Sequence, residues 1–77
     1  MDNHQKLQDL MRDIFEDEAL VIDAETSPED VPGWDSFANI QLLAAVSESF
    51  SVKFTTEEAI KVRTVGDLLA LIARRQA

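Results

Sequence analysis

Cysteine is absent from the 77 residues, which excludes a disulfide framework, a thiolate metal site and a cysteine nucleophile. A single histidine, His4, stands near the start of the chain, where a surface position is expected. A serine nucleophile needs a general base within hydrogen-bond reach, so a Ser–His triad is not expected. Gly33 and Gly66 are the only glycines, which leaves no glycine-rich phosphate loop. No apolar run approaches the roughly 18–20 residues needed to span a bilayer. The N-terminus lacks the basic-then-apolar order of a signal peptide, so a cytoplasmic protein without stable membrane insertion is expected. Bases are scarce, 7 against 15 acids for a net charge of −8. Nucleic acid is therefore not an expected partner, because phosphate binding needs a basic footprint. The nearest approach to a calcium loop starts at Asp23, but its sixth position is Pro28 and its twelfth is Trp34, where glycine and glutamate are required. No metal site is expected. No carboxylate pair stands in an apolar setting that would separate the two pKa values, and no enzyme is expected.

The chain is long enough for one domain, residues 1–77, with a thin core. Hydrophobic residues make up 45%, ordinary for a folded chain. Leu7, Leu10, Met11, Ile14 and Phe15 recur at helical spacing and predict a helix over about 3–17, with Asp2 or Asn3 as its cap. Residues 18–35 form a long connection containing Pro28, Pro32 and Gly33. Long loops without a regular element are unusual in small domains and are usually functional or disordered. Ala19, Leu20, Val21, Ile22 and Val31 offer apolar anchors, so an ordered loop lying across the helices is expected. A second helix is predicted over about 36–50, with Phe37, Ile40, Leu43, Val46 and Phe50 on its buried face and Leu42 widening it. Thr55 precedes Glu58 by three residues, a capping-box spacing that predicts a short helix over about 56–61. Thr64 and Asp67 repeat that spacing before a last helix over about 65–75, whose Arg74 and Arg75 meet the negative end of the dipole. "SVKF", residues 51–54, reads as an extended connector. The fold class is all-α: three main helices plus one short helix.

Nine acids and no base lie between Asp13 and Asp35, either a solvated loop or a surface for a basic partner. At the end of this run, "VPGWDSFANIQLL", residues 31–43, turns from breakers into helix. Asp35 or Ser36 can accept hydrogen bonds from the free N–H groups at the helix start. Ser36 can alternatively carry a phosphodiester, which the free N–H groups and the dipole would stabilise. Asp35 opposes that charge. Trp34 is either an anchor packing the loop onto the bundle or a contact for a modifying enzyme or a prosthetic arm.

"GWDSFANIQLL" and the residues after it resemble the acyl carrier protein family, whose Gly-x-Asp-Ser-Leu motif attaches 4′-phosphopantetheine at the serine. Gly33, Asp35 and Ser36 match, and Phe37 stands in place of leucine. Phe50, Glu57, Glu58, Ala59, Thr64 and Val65 continue the match without a gap, and the resemblance covers about residues 5–75. It implies a small four-helix bundle of acyl-carrier type, a monomer with no catalytic residues of its own. It implies covalent 4′-phosphopantetheine on Ser36, derived from coenzyme A, with Gly33, Asp35 and Phe37 around it. The chain lacks a thiol of its own, and the arm supplies one. The resemblance further implies an acyl pocket between the helices, matched here by Ile40, Leu43, Val46, Ala59 and Val62, although each of these can equally be ordinary core. The implied partners are a phosphopantetheinyl transferase and acyl-loading and acyl-processing enzymes of fatty-acid, polyketide or specialised lipid biosynthesis. Their basic docking patches would meet Glu29, Asp30, Asp35, Glu48, Glu57 and Glu58.

Fatty-acid members of the family usually carry acids along the second helix. The matching positions here include Ala38, Gln41, Ser47 and Ser49, and only Glu48 is charged. A specialised stand-alone carrier fits this pattern better than a housekeeping one. Two alternatives are kept: an aminoacyl or peptidyl carrier loaded by an adenylating ligase, and a non-carrier acidic helical module in which Ser36 only caps its helix.

Overall fold

The computed structural model describes residues 3–76. Four α-helices follow one another: α1 (Asn3–Ile14), α2 (Ser36–Phe50), α3 (Thr56–Lys61) and α4 (Val65–Gln76). A 3-10 turn, Pro28–Asp30, interrupts the long α1–α2 connection, which the sequence pattern reads as free of regular structure. No strand occurs among the described residues. Leu7 and Met11 of α1, Leu42 and Val46 of α2, and Val65, Leu68 and Ile72 of α4 are wholly buried. The short α3 contributes no fully buried residue and packs Ala59 at the margin of this core.

α1 is shorter than its apolar pattern predicts. Glu16 turns left-handed at φ 52°. Its N–H donates to Asp13 O at 3.3 Å and that of Asp17 to Arg12 O at 3.0 Å. These two bonds form a Schellman ending, so Phe15 packs against the core from beyond the helix. Asn3 is the first residue of α1 rather than its cap, and Asp2 lies outside the described residues. The Asn3 and Gln76 carboxamides exchange hydrogen bonds at 2.9 and 3.3 Å, joining the start of α1 to the end of α4.

The α1–α2 connection is held from both sides. His4, Gln8 and Arg12 lie four residues apart along α1 and so share one face. The half-buried His4 donates from Nε2 to Ile22 O at 2.8 Å, Gln8 Oε1 accepts from Ile22 N at 3.0 Å, and Arg12 Nε donates to Leu20 O at 2.7 Å. His4 is thus part of the loop anchorage and not a free surface residue. Leu20, Ile22, Val31 and Trp34 are buried in the connection. Ala19 and Val21 are exposed instead of anchoring: Ala19 lies in a turn closed by Leu20 N donating to Asp17 O at 3.2 Å, and Val21 points away from the core between buried Leu20 and Ile22. From the other side, the N–H groups of Val65 and Gly66 donate to Thr26 O and Ala24 O at 2.8 and 3.0 Å. The loop carbonyls thereby satisfy donors that a helix start leaves free.

The remaining helix starts are capped locally. Thr55 Oγ1 accepts from Glu58 N at 3.2 Å and Glu58 Oε1 from Thr55 N at 2.9 Å. Asp67 and Thr64 repeat this reciprocal pair at the head of α4, at 3.2 and 3.3 Å. α2 corrects the sequence pattern: Ala38, Leu42, Leu43, Val46 and Phe50 face the core, while Phe37 and Ile40 are 70% and 67% exposed. Only Glu48 is charged in this helix, so apolar side chains lie on both of its faces and periodicity alone does not single out the buried one.

Candidate functional site

Val31 to Trp34 form a turn in which Trp34 N donates to Val31 O at 3.1 Å. Pro32 sets its first corner, and Gly33 takes φ 89° at the second, a conformation glycine adopts without steric cost. The chain leaves this turn extended. Asp35 has φ −109° and ψ −170°, and its carboxylate accepts from Ala38 N at 2.8 Å. The Asp35 carbonyl takes the N–H of Asn39 at 2.8 Å. Asp35 is therefore the N-cap of α2 and Ser36 its first residue. The Ser36 hydroxyl is left exposed, with no hydrogen-bond partner among the described residues. The N–H groups of Ser36 and Phe37 likewise have no backbone partner and mark the positive end of the helix dipole.

Trp34 is 4% exposed. It packs against Phe15 with ring centroids 6.3 Å apart, and its Nε1–H donates to Asn39 Oδ1 at 3.0 Å. It is an anchor for the turn, and it also forms part of the wall beside Ser36. A groove of about 620 Å³ opens there, with Trp34, Ser36, Asn39, Ile40, Ile60 and Val62 among its walls. A second groove of about 400 Å³ continues between α2 and α3 past Leu43 and Phe54, sharing Ile40, Thr56 and Ala59 with the first. Of the pocket positions matched from sequence, Ile40 and Ala59 line both grooves, Val62 the first and Leu43 the second. Val46 lines neither, being sealed in the core. Asn39, Thr56 and Ile60 also line the first groove and were not singled out by sequence. Ile60 is 73% exposed, an exposure that no periodicity in a six-residue helix reveals.

The acids differ in what they are free to do. Glu29, Asp30, Asp35, Glu48 and Glu57 are exposed. Asp30 also accepts from Ser27 N at 3.1 Å and Asp35 caps α2. Glu58 is engaged: Arg75 hydrogen-bonds to it and Thr55 N–H adds to the hold, which lowers its pKa to about 2. Phe37 is exposed beside Ser36. A larger depression of about 840 Å³, lined by Arg12, Asp13, Glu16, Asp17, Glu18 and Ala19, shares no residue with the grooves at Ser36. Among the described residues no His, Cys, Asp or Glu group is placed to hold a metal ion, and no helix is long and apolar enough to cross a membrane.

A small helical bundle that presents a serine at a helix start, beside an apolar groove, has the form of a carrier domain. The family model for the phosphopantetheine attachment site matches residues 5–72, and the chain belongs to that family. It is 35% identical to the acyl carrier protein of Clostridium acetobutylicum over 68 residues, 88% of each chain. It is 34% identical to the acyl carrier protein of Wolinella succinogenes, covering 77% of this chain and 92% of that one. The solution structure of holo acyl carrier protein from Geobacter metallireducens matches its fold with a TM-score of 0.90 at 30% identity, covering 99% of this chain and 87% of that one. The chain is an acyl carrier protein by family, a carrier without catalytic activity of its own, and 4′-phosphopantetheine is the prosthetic group of that family.

Proposed function

We propose that Ser36 is the residue that carries the 4′-phosphopantetheine arm, and that the protein presents acyl intermediates to the enzymes of a specialised pathway. The observation that carries this is the division of labour at the head of α2. Asp35 satisfies the Ala38 N–H, so Ser36 is not needed as a cap and its hydroxyl stands free at the rim of a groove. In a non-carrier module the serine would be the cap, and that role is taken. Once attached, the arm supplies the thiol that this cysteine-free chain lacks and holds the acyl group as a thioester. The chain's own residues present and shelter the arm. The N–H groups of Ser36 and Phe37 face an anion there, and Ile40, Ala59, Ile60 and Val62 offer apolar walls. Those walls favour an aliphatic acyl cargo over an aminoacyl one.

The partners fitted to this surface are a phosphopantetheinyl transferase and acyl-loading and acyl-processing enzymes. Glu29, Asp30 and Asp35 lie before Ser36 and Glu57 lies on α3, and these exposed acids suit basic docking patches. Glu48 is a weaker contributor, standing near the far end of α2, and Glu58 is already paired. Incubation with a phosphopantetheinyl transferase and coenzyme A should raise the intact mass by one phosphopantetheine unit, and Ser36→Ala should abolish the gain. A wild-type chain that no transferase modifies, or a Ser36→Ala chain that still gains the mass, contradicts the proposal.

A further inference from the structure

We propose that Trp34 and Asn39 form a latch that holds the near part of the Ser36 arm against the α2–α3 groove, the Asn39 side-chain amide donating to an acceptor oxygen of the arm. This rests on attachment at Ser36. An indole N–H only donates, so the carboxamide atom it meets at 3.0 Å is Asn39 Oδ1. That bond orients the amide. Trp34 is itself fixed, buried among core residues and packed on Phe15. Asn39 Nδ2 is thereby directed away from the indole with two hydrogens to give. It has no partner among the described residues, and it is not sealed from solvent, because no buried side-chain nitrogen or oxygen lacks a partner. Asn39 follows Ser36 by three residues, which makes the two neighbours across one turn. Helical side chains lean toward the N-terminus, so Asn39 leans over the turn that carries Ser36, and both line the same groove. Phosphopantetheine offers acceptors along its near half, at the phosphodiester and the first amide carbonyl. Its methyl and methylene groups match the walls formed by Ile40, Ala59 and Ile60. A neutral donor holds such an arm without locking it, since one net hydrogen bond shifts an equilibrium by roughly fivefold, which a docking enzyme can overcome.

The test compares nitrogen-15-labelled protein before and after modification, with intact mass confirming the arm. On modification the Asn39 side-chain NH2 resonances should move and the Trp34 indole resonance should keep its hydrogen-bonded position. Arm methyls should show contacts to Ile40 and Ile60. A phosphorus-31 shift on Asn39→Asp identifies the phosphodiester as the acceptor, and a shift confined to the arm's amide identifies the carbonyl. Asn39→Asp keeps the acceptor for the indole but replaces the donor by a repelling carboxylate, so its arm thiol should react with a soluble disulfide probe about fivefold faster than wild type. Trp34→Phe should act in the same direction with a smaller effect. A modified wild-type protein with unmoved Asn39 resonances, or equal thiol reactivity in wild type and Asn39→Asp, overturns the latch alone. A wild-type chain that never gains the arm overturns attachment at Ser36 and the latch with it.

Discussion

Replacing Asp35 by alanine removes the oxygen that accepts the Ala38 N–H at 2.8 Å and strands that donor at the head of a fifteen-residue helix. Loss of such a cap costs about 1 kcal/mol, within a range of about 0.5–2, and the lost acid at the positive end of the dipole adds about 0.3–1 kcal/mol. For a domain of this size each kcal/mol lowers the melting temperature by about 4–8 °C. Asp35→Ala should therefore melt roughly 5–15 °C below wild type, and Asp35→Asn, which keeps the accepting oxygen, should recover most of the loss. Ser36→Ala is the contrasting change. The hydroxyl has no partner among the described residues and alanine is the better helix former by about 0.5 kcal/mol, so stability should stay level or rise slightly. Thermal and urea unfolding followed by circular dichroism and Trp34 fluorescence measure all three, and intact mass after transferase treatment measures arm attachment. Ser36→Ala should lose the arm at full stability, and Asp35→Ala should lose stability. A drop of 1 kcal/mol or more in Ser36→Ala, with Asp35→Ala unaffected, would refute the assignment of the cap to Asp35 and return Ser36 to a structural role.

Gly66→Ala sets two effects of opposite sign against each other. Helix propensity favours alanine by up to about 1 kcal/mol, but the new Cβ would stand 2.7 Å from the Ala24 carbonyl oxygen, and such crowding costs about 1–3 kcal/mol. Net destabilisation in urea unfolding is expected, and a gain in stability would show that the loop yields freely. Gln8→Leu leaves the buried Ile22 N–H without its acceptor and should cost about 1–3 kcal/mol, with faster amide exchange at Ile22; unchanged exchange there would contradict the anchorage. The Glu58 carboxyl is held at about 2, from 4.5, chiefly by its hydrogen bond from Arg75. A lowered folded-state pKa stabilises fully above 4.5 and fades as pH falls toward 2. Stability measured across that window should fall less steeply in Arg75→Gln than in wild type, and the pair should weaken with added salt because it is exposed; identical pH curves would rule out the pairing.

What was legible in the sequence is what short-range chemistry encodes. Thr55 with Glu58 and Thr64 with Asp67 cap their helices through contacts three residues apart, and Pro32 with Gly33 sets a turn within four residues. The Gly33–Asp35–Ser36 motif that resembles the family's attachment motif is equally local. The buried face of α2 was not legible, because apolar residues surround it on both sides. Phe37 and Ile40 fit a core stripe as well as Ala38 and Leu42 do, and only the position of α1 and α4 decides between them.

The sequence by itself determined the class of protein: an acidic, cysteine-free helical chain with a serine at the head of its second helix. Tertiary structure alone decided which groups hold the long loop and which side chain of the groove meets the Trp34 indole. The reason is physical. His4, Gln8 and Arg12 bind backbone carbonyl and amide groups eight to eighteen residues away, and every residue offers those same groups, so no side-chain pattern marks the partner. Gly66 is required by the Ala24 carbonyl 42 positions before it, and the Asn39 amide acquires its orientation only where the packed indole of Trp34 meets it.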